Sequence, residues 1–408
     1  MSMKTAWVVG ATMGYGHARA AMPLVSIAEG GVALNANDYD DIPESDRKTW
    51  GELEFFYNKI SRLSSKGPLG RFIFALYDRA QRINPLVPGK NEVKATPQLK
   101  QLYAIIRGGW GKHLIETLAK KPLPLVATFF TPGHMAEYWK YPGPIYILGT
   151  DSDLSRAWAP LEPATSAIRY FAPTDTAARH LESYGIPKEN VILTGFPLPL
   201  ELTRHARQNF EERLARLAAR GGQTKRPITL TFAVGGAGAQ LRIGDELSMS
   251  LSKLIHQGRV NLNLVAGTNE VAKNEFTMVV HQAHLAHFLG GRIRIIYTKT
   301  KDEYFREFNE ALATTDLLWT KPSEISFYAA LGIPIIIAPP VGAQERCNRN
   351  WLLGLEAGTD EGDPKTAREW LPELLVNGSF AAMAQNGYDR MEREGTTNIM
   401  QYLNAHHR

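Results

Sequence analysis

Short apolar runs alternate with segments of helical periodicity along the whole chain. The runs are rich in β-branched and aromatic residues and end at Gly, Pro or polar clusters, which is typical of strands. The predicted strands are Thr5–Gly10, Gly31–Asn35, Leu125–Phe129, Ile145–Gly149, Ile168–Ala172 and Val191–Thr194, followed by Ile228–Val234, Asn261–Ala266, Arg292–Tyr297, Asp316–Trp319 and Ile333–Ala338. Strands separated by helices predict an α/β fold with two doubly wound parallel sheets.

The stretch from Asp316 to Gly358 shows this order most clearly. Its first run ends at a polar turn in which Pro322 suits the first position of a helix, because proline lacks the N–H that would be unpaired there. Its second run, Ile333–Ala338, has the isoleucine-rich pattern of a strand buried on both faces. A second turn leads into a helix that begins with Gln344, Glu345 and Asn348. Polar helix starts at the carboxyl ends of adjacent strands predict a ligand site, although an ordinary βαβ unit with polar loops fits the local sequence equally well.

The length of 408 residues suits two domains, and 44% hydrophobic and 21% charged residues are typical of a globular protein. We expect a first domain at 1–200, an exposed linker helix within 201–226, a second domain at 227–386 and a final helix within 387–408. A single cysteine excludes an internal disulfide and suits a reducing cytosol. With no apolar run of about 18 residues and no long apolar leader, the sequence predicts a cytoplasmic protein, soluble or peripheral at the inner face of the membrane.

The formal charge of +5 is concentrated between Phe55 and Arg82. The basic residues there are Lys59, Arg62, Lys66, Arg71, Arg79 and Arg82, against the single acid Asp78. Aromatic and aliphatic residues interleave with them, so the stretch is a candidate for lying on an anionic membrane surface. Two packed helices with solvated basic faces are the alternative. No recognition motif accompanies the charge, so no nucleic acid partner is predicted.

The first turn runs from Gly10 to His17 and opens a helix. It is not a G-x-G-x-x-G motif, so it gives little support to a dinucleotide site. A histidine at a helix N-terminus is kept neutral by the helix dipole and can take a proton from a hydroxyl group, which makes His17 a candidate general base. The alternative is a capping or core histidine.

Glycine-rich and polar turns follow two strands of the second half. The first contains Gly235, Gly236 and Gly238, whose bare backbone can approach phosphate closely, but it lacks the G-K-[ST] of a Walker loop. The second contains Gly267 and Asn269. The first of these turns is therefore a candidate phosphate-binding site.

In sequence order these segments resemble the GT-B glycosyltransferases, in particular monogalactosyldiacylglycerol synthases and the bacterial enzyme that adds N-acetylglucosamine to the lipid-linked peptidoglycan precursor. The resemblance runs from Met3 to Gly358 and includes T-K-x-x before a helix, A-L-G-I-P-I-I-I and P-P-x-G-x-Q-E. It implies two Rossmann-like domains that face each other across a cleft, with the last helix crossing back to the first domain. It also implies binding sites for the donor sugar at Gln344, Glu345 and Asn348, and for the nucleotide and its diphosphate at Gly14, Gly16, Gly235, Gly236, Gly238, Gly267, Asn269, Tyr297, Thr298, Lys321, Ser323 and Glu324.

The resemblance implies an inverting enzyme that needs neither metal nor cofactor. It would move a sugar from a nucleotide sugar, a UDP-sugar, to a lipid or lipid-linked acceptor, with His17 as base and Asp151 orienting it or binding the acceptor. The pair Asp151 and Asp153 has D-x-D spacing, and His281, His284 and His287 repeat every third residue, but neither set is predicted to hold a metal. Cys347 is not predicted to be a nucleophile.

One position departs from the resemblance. The family has a ribose-binding glutamate before A-L-G, whereas this chain has Ala329, so Glu324 is the candidate substitute. This departure favours one alternative, a GT-B scaffold that binds ligand without turnover. The other alternative is a nucleotide-sugar 2-epimerase, which shares the fold but would use paired acids and no acceptor.

Overall fold

The structure, a computed structural model, describes residues 5–12, 15–63, 83–86, 91–218, 226–233 and 240–406. The chain forms two compact units. Unit 1 comprises Met1–Leu198, Val341–Asn348 and Glu392–Arg408, and unit 2 comprises Pro199–Pro340 and Arg349–Met391. The predicted linker thus falls in unit 2, and the C-terminal residues fall in unit 1.

Unit 1 contains a six-stranded parallel sheet. Its strands are β1 (Trp7–Gly10), β2 (Leu34–Asn35), β3 (Leu125–Ala127), β4 (Ile145–Leu148), β5 (Arg169–Ala172) and β6 (Val191–Leu193). The spatial order is β2-β1-β3-β4-β5-β6, so the direction of winding reverses between β1 and β3. Its helices are α1 (Gly16–Ala21), α2 (Glu44–Leu63), α3 (Pro97–Arg107), α4 (Lys112–Ala119), α5 (Phe130–Tyr138) and α6 (Asp175–Ser183).

Unit 2 contains a second six-stranded parallel sheet. Its strands are β7 (Ile228–Ala233), β8 (Val260–Gly267), β9 (Ile293–Tyr297), β10 (Leu317–Thr320), β11 (Ile335–Ile337) and β12 (Gly358–Asp360). The order is β12-β11-β10-β7-β8-β9, with the reversal between β7 and β10. The helices that follow along the chain are α7 (Leu200–Thr203), α8 (Ala206–Leu217), α9 (Leu241–His256), α10 (Glu270–Gln282), α11 (Lys301–Thr314), α12 (Ala343–Gly354), α13 (Ala367–Val376), α14 (Ser379–Arg390) and α15 (Gly395–His406). Of these, α15 and residues 343–348 of α12 belong to unit 1.

The predicted fold class is confirmed, and every predicted run contains or overlaps a strand. The sequence missed β12, a three-residue edge strand without an apolar run. It also predicted an ordinary helix after β10, whereas Glu324–Leu331 is a 3₁₀ helix. That helix ends at Gly332, whose φ of 72° lies in the left-handed region and whose missing side chain leaves room for the ring of Phe210.

Helix α8 was predicted to be exposed, but only one of its faces is exposed and the other is buried. Arg213 is only 1% exposed and donates hydrogen bonds to the main-chain oxygens of Thr315, at 2.6 Å, and Leu331, at 2.8 Å. Phe210 stacks on Tyr388 of α14 at 4.0 Å between ring centres. The Ala- and Arg-rich sequence of α8 gave no sign of this buried face. Arginine is normally exposed, but Arg213 is buried because it donates hydrogen bonds to carbonyl groups at the ends of two helices.

Candidate active site

His17 lies at the winding reversal of the unit 1 sheet. It follows β1, and its ring nitrogen Nδ1 is 2.8 Å from the main-chain oxygen of Thr128, the residue after β3. The Thr128 hydroxyl in turn donates a hydrogen bond of 2.8 Å to the main-chain oxygen of His17. A carbonyl oxygen only accepts, so Nδ1 carries the proton of the neutral ring and Nε2 keeps a free electron pair. The contact therefore selects the tautomer that can act as a base through Nε2.

The environment of His17 also keeps the ring neutral. Burial lowers the pKa of His17 to about 4, although the hydrogen bond to Thr128 works in the opposite direction. The hydroxyl of Thr150, at the carboxyl end of β4, lies 3.3 Å from Nδ1. A histidine with this pKa is uncharged at pH 7 and can accept a proton.

An aromatic wall stands beside His17. The ring of Phe129 lies 4.6 Å from the His17 ring and 4.3 Å from the ring of Phe130, and both phenylalanines are partly exposed. Buried Trp158 lies behind them, 6.4 Å from His17. Neither phenylalanine was predicted as a site residue, although two adjacent aromatic residues at the end of the predicted strand Leu125–Phe129 were an available signal. Partly exposed rings beside a base can bind the apolar part of an acceptor.

Asp151 and Asn348 are joined in the same unit. The Asn348 side chain is fully buried; its nitrogen donates to Asp151 Oδ1 at 2.9 Å, and its oxygen accepts from the main-chain N–H of Ser152 at 2.8 Å. Both polar atoms of the carboxamide therefore bind the 151–152 loop, which also contacts His17 through the neighbouring Thr150. This geometry suits a residue that positions the loop better than one that binds sugar directly.

Gln344 and Glu345 occupy the first turn of α12, and both are partly exposed. Glu345 Oε2 accepts a hydrogen bond of 2.7 Å from the main-chain N–H of Val341. This contact closes the turn before the helix in the manner of a capping box. Glu345 therefore has a structural contact in addition to its predicted sugar-binding role, which neither excludes nor tests that role.

In unit 2 the winding reversal is flanked by Lys321, Ser323 and Glu324, which follow β10. Glu324 is 9% exposed, and Lys321 is partly exposed. The buried hydroxyls of Ser323 and of Ser326, one 3₁₀ turn later, have no hydrogen-bond partner among the described residues. Buried hydroxyls are normally paired, so this end of β10 offers unused polar groups at the place where doubly wound sheets bind ligands.

The turns after β8 and β9 are tied together. Gly267 has a φ of 66°, and its main-chain oxygen accepts from the N–H of Thr298 at 3.0 Å. Asn269 caps α10 by accepting from the N–H of Ala272 at 3.1 Å. The Lys273 ammonium lies 5.1 Å from the ring centre of Tyr297. These predicted residues therefore lie at one edge of the sheet, where Asn269 acts as a helix cap.

Several predicted residues fall outside the described part of the chain. They are Gly14, Gly235, Gly236 and Gly238. Most of the basic stretch between Phe55 and Arg82 also lies outside it. Gly16, by contrast, begins α1.

The structure places Asp153, the second acid of the D-x-D sequence, in an ion pair. Its Oδ1 lies 2.6 Å from Nδ1 of His180, and both side chains are buried. Within the described ranges, no group of three or more His, Cys, Asp or Glu residues is arranged to hold a metal ion. Burial raises the pKa of the Cys347 thiol to about 11, with the charges of Asp153 and Asp151 adding to the effect. Such a thiol is not ionised at pH 7.

A family model described as a domain of unknown function (DUF6938) matches residues 186–290. The chain is 28% identical over 208 residues to a processive diacylglycerol beta-glucosyltransferase of Bacillus cytotoxicus, a match that covers 50% of this chain and 47% of the relative. It is 25% identical over 273 residues to the Staphylococcus saprophyticus protein of that name, covering 65% and 62%. The matches thus span about half to three-fifths of these relatives.

Among solved structures, the S. aureus MnaA–UDP co-structure has a TM-score of 0.51 at 15% identity, covering 98% of this chain and 97% of that one. This similarity, together with the two six-stranded parallel sheets, confirms the predicted GT-B fold. The resemblance to glycosyltransferases found in the sequence is confirmed by the two relatives.

Proposed function

We propose that this protein is an inverting glycosyltransferase that moves a sugar from a UDP-sugar to a lipid or lipid-linked acceptor without a metal ion or cofactor. The observation that carries the proposal is the neutral, oriented ring of His17 beside the partly exposed Phe129 and Phe130. The names of the glucosyltransferase relatives support sugar transfer and a glyceride acceptor.

In the proposed reaction, Nε2 of His17 takes the proton of the acceptor hydroxyl as its oxygen bonds to the anomeric carbon. The bond from that carbon to the β-phosphate oxygen breaks, and UDP leaves with the electron pair. Because this is a single displacement, the anomeric configuration inverts. For binding of the nucleotide diphosphate we propose Gly235 and Gly236, which lie outside the described residues, and the residues after β10, which include the cation Lys321.

The surroundings of Ala329 bear on the alternative that the protein binds ligand without turnover. Ala329 is 1% exposed and lies under α14, where its main chain approaches Gly387 so closely that a side chain on that glycine would collide with it. A glutamate at 329 would begin inside this packed contact. The absence of that glutamate is therefore a poor reason to infer lost turnover, and we propose that Glu324 contacts the ribose instead. The epimerase alternative is less favoured, because the sequence relatives are named glucosyltransferases.

The test is incubation of the purified protein with UDP-glucose, UDP-galactose or UDP-N-acetylglucosamine, with and without diacylglycerol in mixed micelles. Free UDP together with a new glycolipid, unaffected by EDTA, is the expected result. An epimerised nucleotide sugar, or binding without release of UDP, would support one of the two alternatives. His17→Gln is expected to lower turnover at least 100-fold while UDP binding stays within about twofold.

We further propose that the basic stretch between Phe55 and Arg82 holds the protein on an anionic membrane surface, where a lipid acceptor resides. Each basic residue near such a surface contributes on the order of 1 kcal/mol. Within the described residues, no helix has the length and apolarity needed to cross a membrane. Among residues 55–63, the structure describes only the side chain of Phe55, which is 67% exposed.

Flotation with liposomes tests this attachment. The wild type is expected to float with anionic but not with neutral liposomes at low salt, and to detach as the Debye length falls from about 10 Å at 0.1 M salt to about 3 Å at 1 M. Changing Arg62, Lys66 and Arg71 to Glu is expected to abolish flotation. The matched control changes exposed Lys120, Lys188 and Lys253 to Glu, which alters the net charge equally. Equal losses in both variants would contradict a specific surface.

A further inference from the structure

A concave site lies in unit 1, between α3 and two loops. The cavity has a volume of about 600 Å³, which is within the range of small-molecule sites. One wall is α3, and the other consists of residues 93–95 and 161–162. None of these residues belongs to the candidate active site.

The cavity carries an excess of positive charge. Its lining includes the exposed residues Lys94, Lys100 and Arg107 and one acid, Glu162. Lys100, Ala104 and Arg107 share one face of α3, because positions four and three residues apart are neighbours on a helix. The small Ala104 side chain leaves room between the two cations. No described residue forms an ion pair with Lys94, Lys100 or Arg107, so their charges are not offset within the described chain.

Apolar and aromatic groups form the rest of the cavity lining. The floor is the ring of Tyr103, which is 6% exposed and packs against His134 at 5.5 Å between ring centres. Val93, 43% exposed, and Leu161 lie on the rim. Cations around an apolar floor complement a ligand that has both an anionic group and an apolar part.

A buried guanidinium connects the two loops that line the cavity. Arg156 is 6% exposed, and its Nη2 donates to the main-chain oxygens of Val93, at 2.8 Å, and of Pro160, at 3.0 Å. Its Nη1 donates to the oxygen of Ala159 at 2.7 Å. The two loops are therefore held at a set separation by a positive group beneath them. A site that needs no rearrangement costs less free energy to occupy.

From these contacts we propose that the cavity binds a phosphate-bearing ligand, with the phosphate between Lys94, Lys100 and Arg107 and the apolar part on Tyr103. Phosphate suits this set because arginine binds it through two parallel N–H groups and lysine binds it as a point charge. The phosphate can belong to a lipid headgroup or to a free organic phosphate, and these sources are separable by experiment. The proposal is independent of sugar transfer.

Isothermal titration calorimetry at low salt tests the proposal with three probes: inorganic phosphate, dihexanoyl phosphatidylglycerol and dihexanoyl phosphatidylcholine. We expect submillimolar binding of the anionic lipid and at least tenfold weaker binding of the zwitterionic one. Comparable binding of inorganic phosphate would identify a free phosphate as the source, and much weaker binding would identify a lipid. The site is absent if neither anionic probe binds below about 10 mM, or if the zwitterionic lipid binds equally well.

Variants connect the binding to this cavity. Lys100→Ala with Arg107→Ala is expected to weaken binding at least tenfold. Lys120→Ala with Lys188→Ala removes the same charge from exposed positions outside the cavity and is expected to change it less than twofold. Ala104→Glu, at an exposed helical position, fills the gap with a negative group and is expected to abolish binding with the fold intact by circular dichroism. Equal losses in the two double variants would show charge attraction without a site and would overturn the proposal.

Discussion

The ring nitrogen Nδ1 of His17 lies 2.8 Å from the main-chain oxygen of Thr128, although 111 positions separate the two residues in the sequence. Parallel pairing of β1 with β3 places them side by side. The contact fixes the tautomer, while burial lowers the pKa of the ring to about 4. The ring is therefore unprotonated at neutral pH, and the fixed tautomer makes Nε2 the atom that accepts a proton.

The first prediction concerns the pH dependence of His17. Because its pKa is lowered, the ring gains a proton only near pH 4, so no loss of kcat/KM from His17 protonation is expected between pH 8 and about 5. Nuclear magnetic resonance titration checks this directly, with His17→Gln to assign the signal. A His17 resonance that titrates near 6.5, the ordinary value for histidine, would contradict the assignment.

The second prediction concerns Asn348. Replacing it with Ala removes one buried hydrogen bond and one partly buried bond to a carboxylate, and leaves the Ser152 N–H unpaired. The free energy of unfolding should therefore fall by about 2–4 kcal/mol. Asn348→Asp keeps an acceptor for Ser152 but places two carboxylates together. Urea unfolding should therefore find the Asp variant less stable at pH 7 than at pH 5. No pH dependence of this difference would show that the Asp151 contact is unimportant.

The third prediction separates sugar binding from nucleotide binding. Gln344→Ala is expected to weaken binding of the UDP-sugar while leaving UDP almost unaffected. Glu345→Ala should do the same and should also destabilise the start of α12 by about 1 kcal/mol, because it removes the contact with Val341. Calorimetry with both ligands and thermal unfolding measure the two effects. If UDP and UDP-sugar lose affinity equally, these residues do not read the sugar.

The fourth prediction concerns the buried pair of His180 and Asp153. Burial would lower the pKa of His180, but the hydrogen bond and charge of Asp153, the Asn84 carbonyl at 2.9 Å and the charge of Glu92 together raise it. Both ring nitrogens face acceptors, so the charged ring is favoured; the ring of Tyr184 also stacks on it, at 5.8 Å. A raised pKa in the folded state means that this stability is complete below about pH 6.5 and declines as pH rises through the folded value.

Urea unfolding between pH 6 and 9 measures that decline. The free energy of unfolding of the wild type should fall more steeply with pH than that of His180→Gln, which lacks the titrating group. Asp153→Asn should flatten the curve in the same way. Parallel curves for all three proteins would show that His180 titrates alike in the folded and unfolded states.

The fifth prediction concerns Gly332. Alanine there is strained by the positive φ and would meet the ring of Phe210, so Gly332→Ala should lower the free energy of unfolding by about 1–3 kcal/mol. Gly51 lies within α2 and has open space around its Cα, so Gly51→Ala should raise the free energy of unfolding by about 0.5–1 kcal/mol. Chemical denaturation of both variants provides the comparison. If Gly332→Ala left the free energy of unfolding unchanged, α8 would have to lie farther from that turn.

The sequence alone predicted eleven of the twelve described strands, in their order along the chain. Runs such as Ile333–Ala338 are buried on both faces of a parallel sheet, and burial of that kind requires local apolar composition, which is visible in the residues themselves. It also placed His17 and the residues after β10 at the carboxyl ends of strands. It missed β12, because an edge strand with polar residues has no comparable composition.

The tertiary structure alone decided which groups meet. The partner of His17 is a main-chain oxygen, which has no signature in the sequence, and only the pairing of β1 with β3 places it there. Asn348 and Asp151 are 197 positions apart, and the buried side of α8 depends on carbonyl groups at Thr315 and Leu331. Composition and periodicity indicate which apolar runs are buried. They do not report its neighbours, because the free energy of a contact depends on atoms that distant segments bring together.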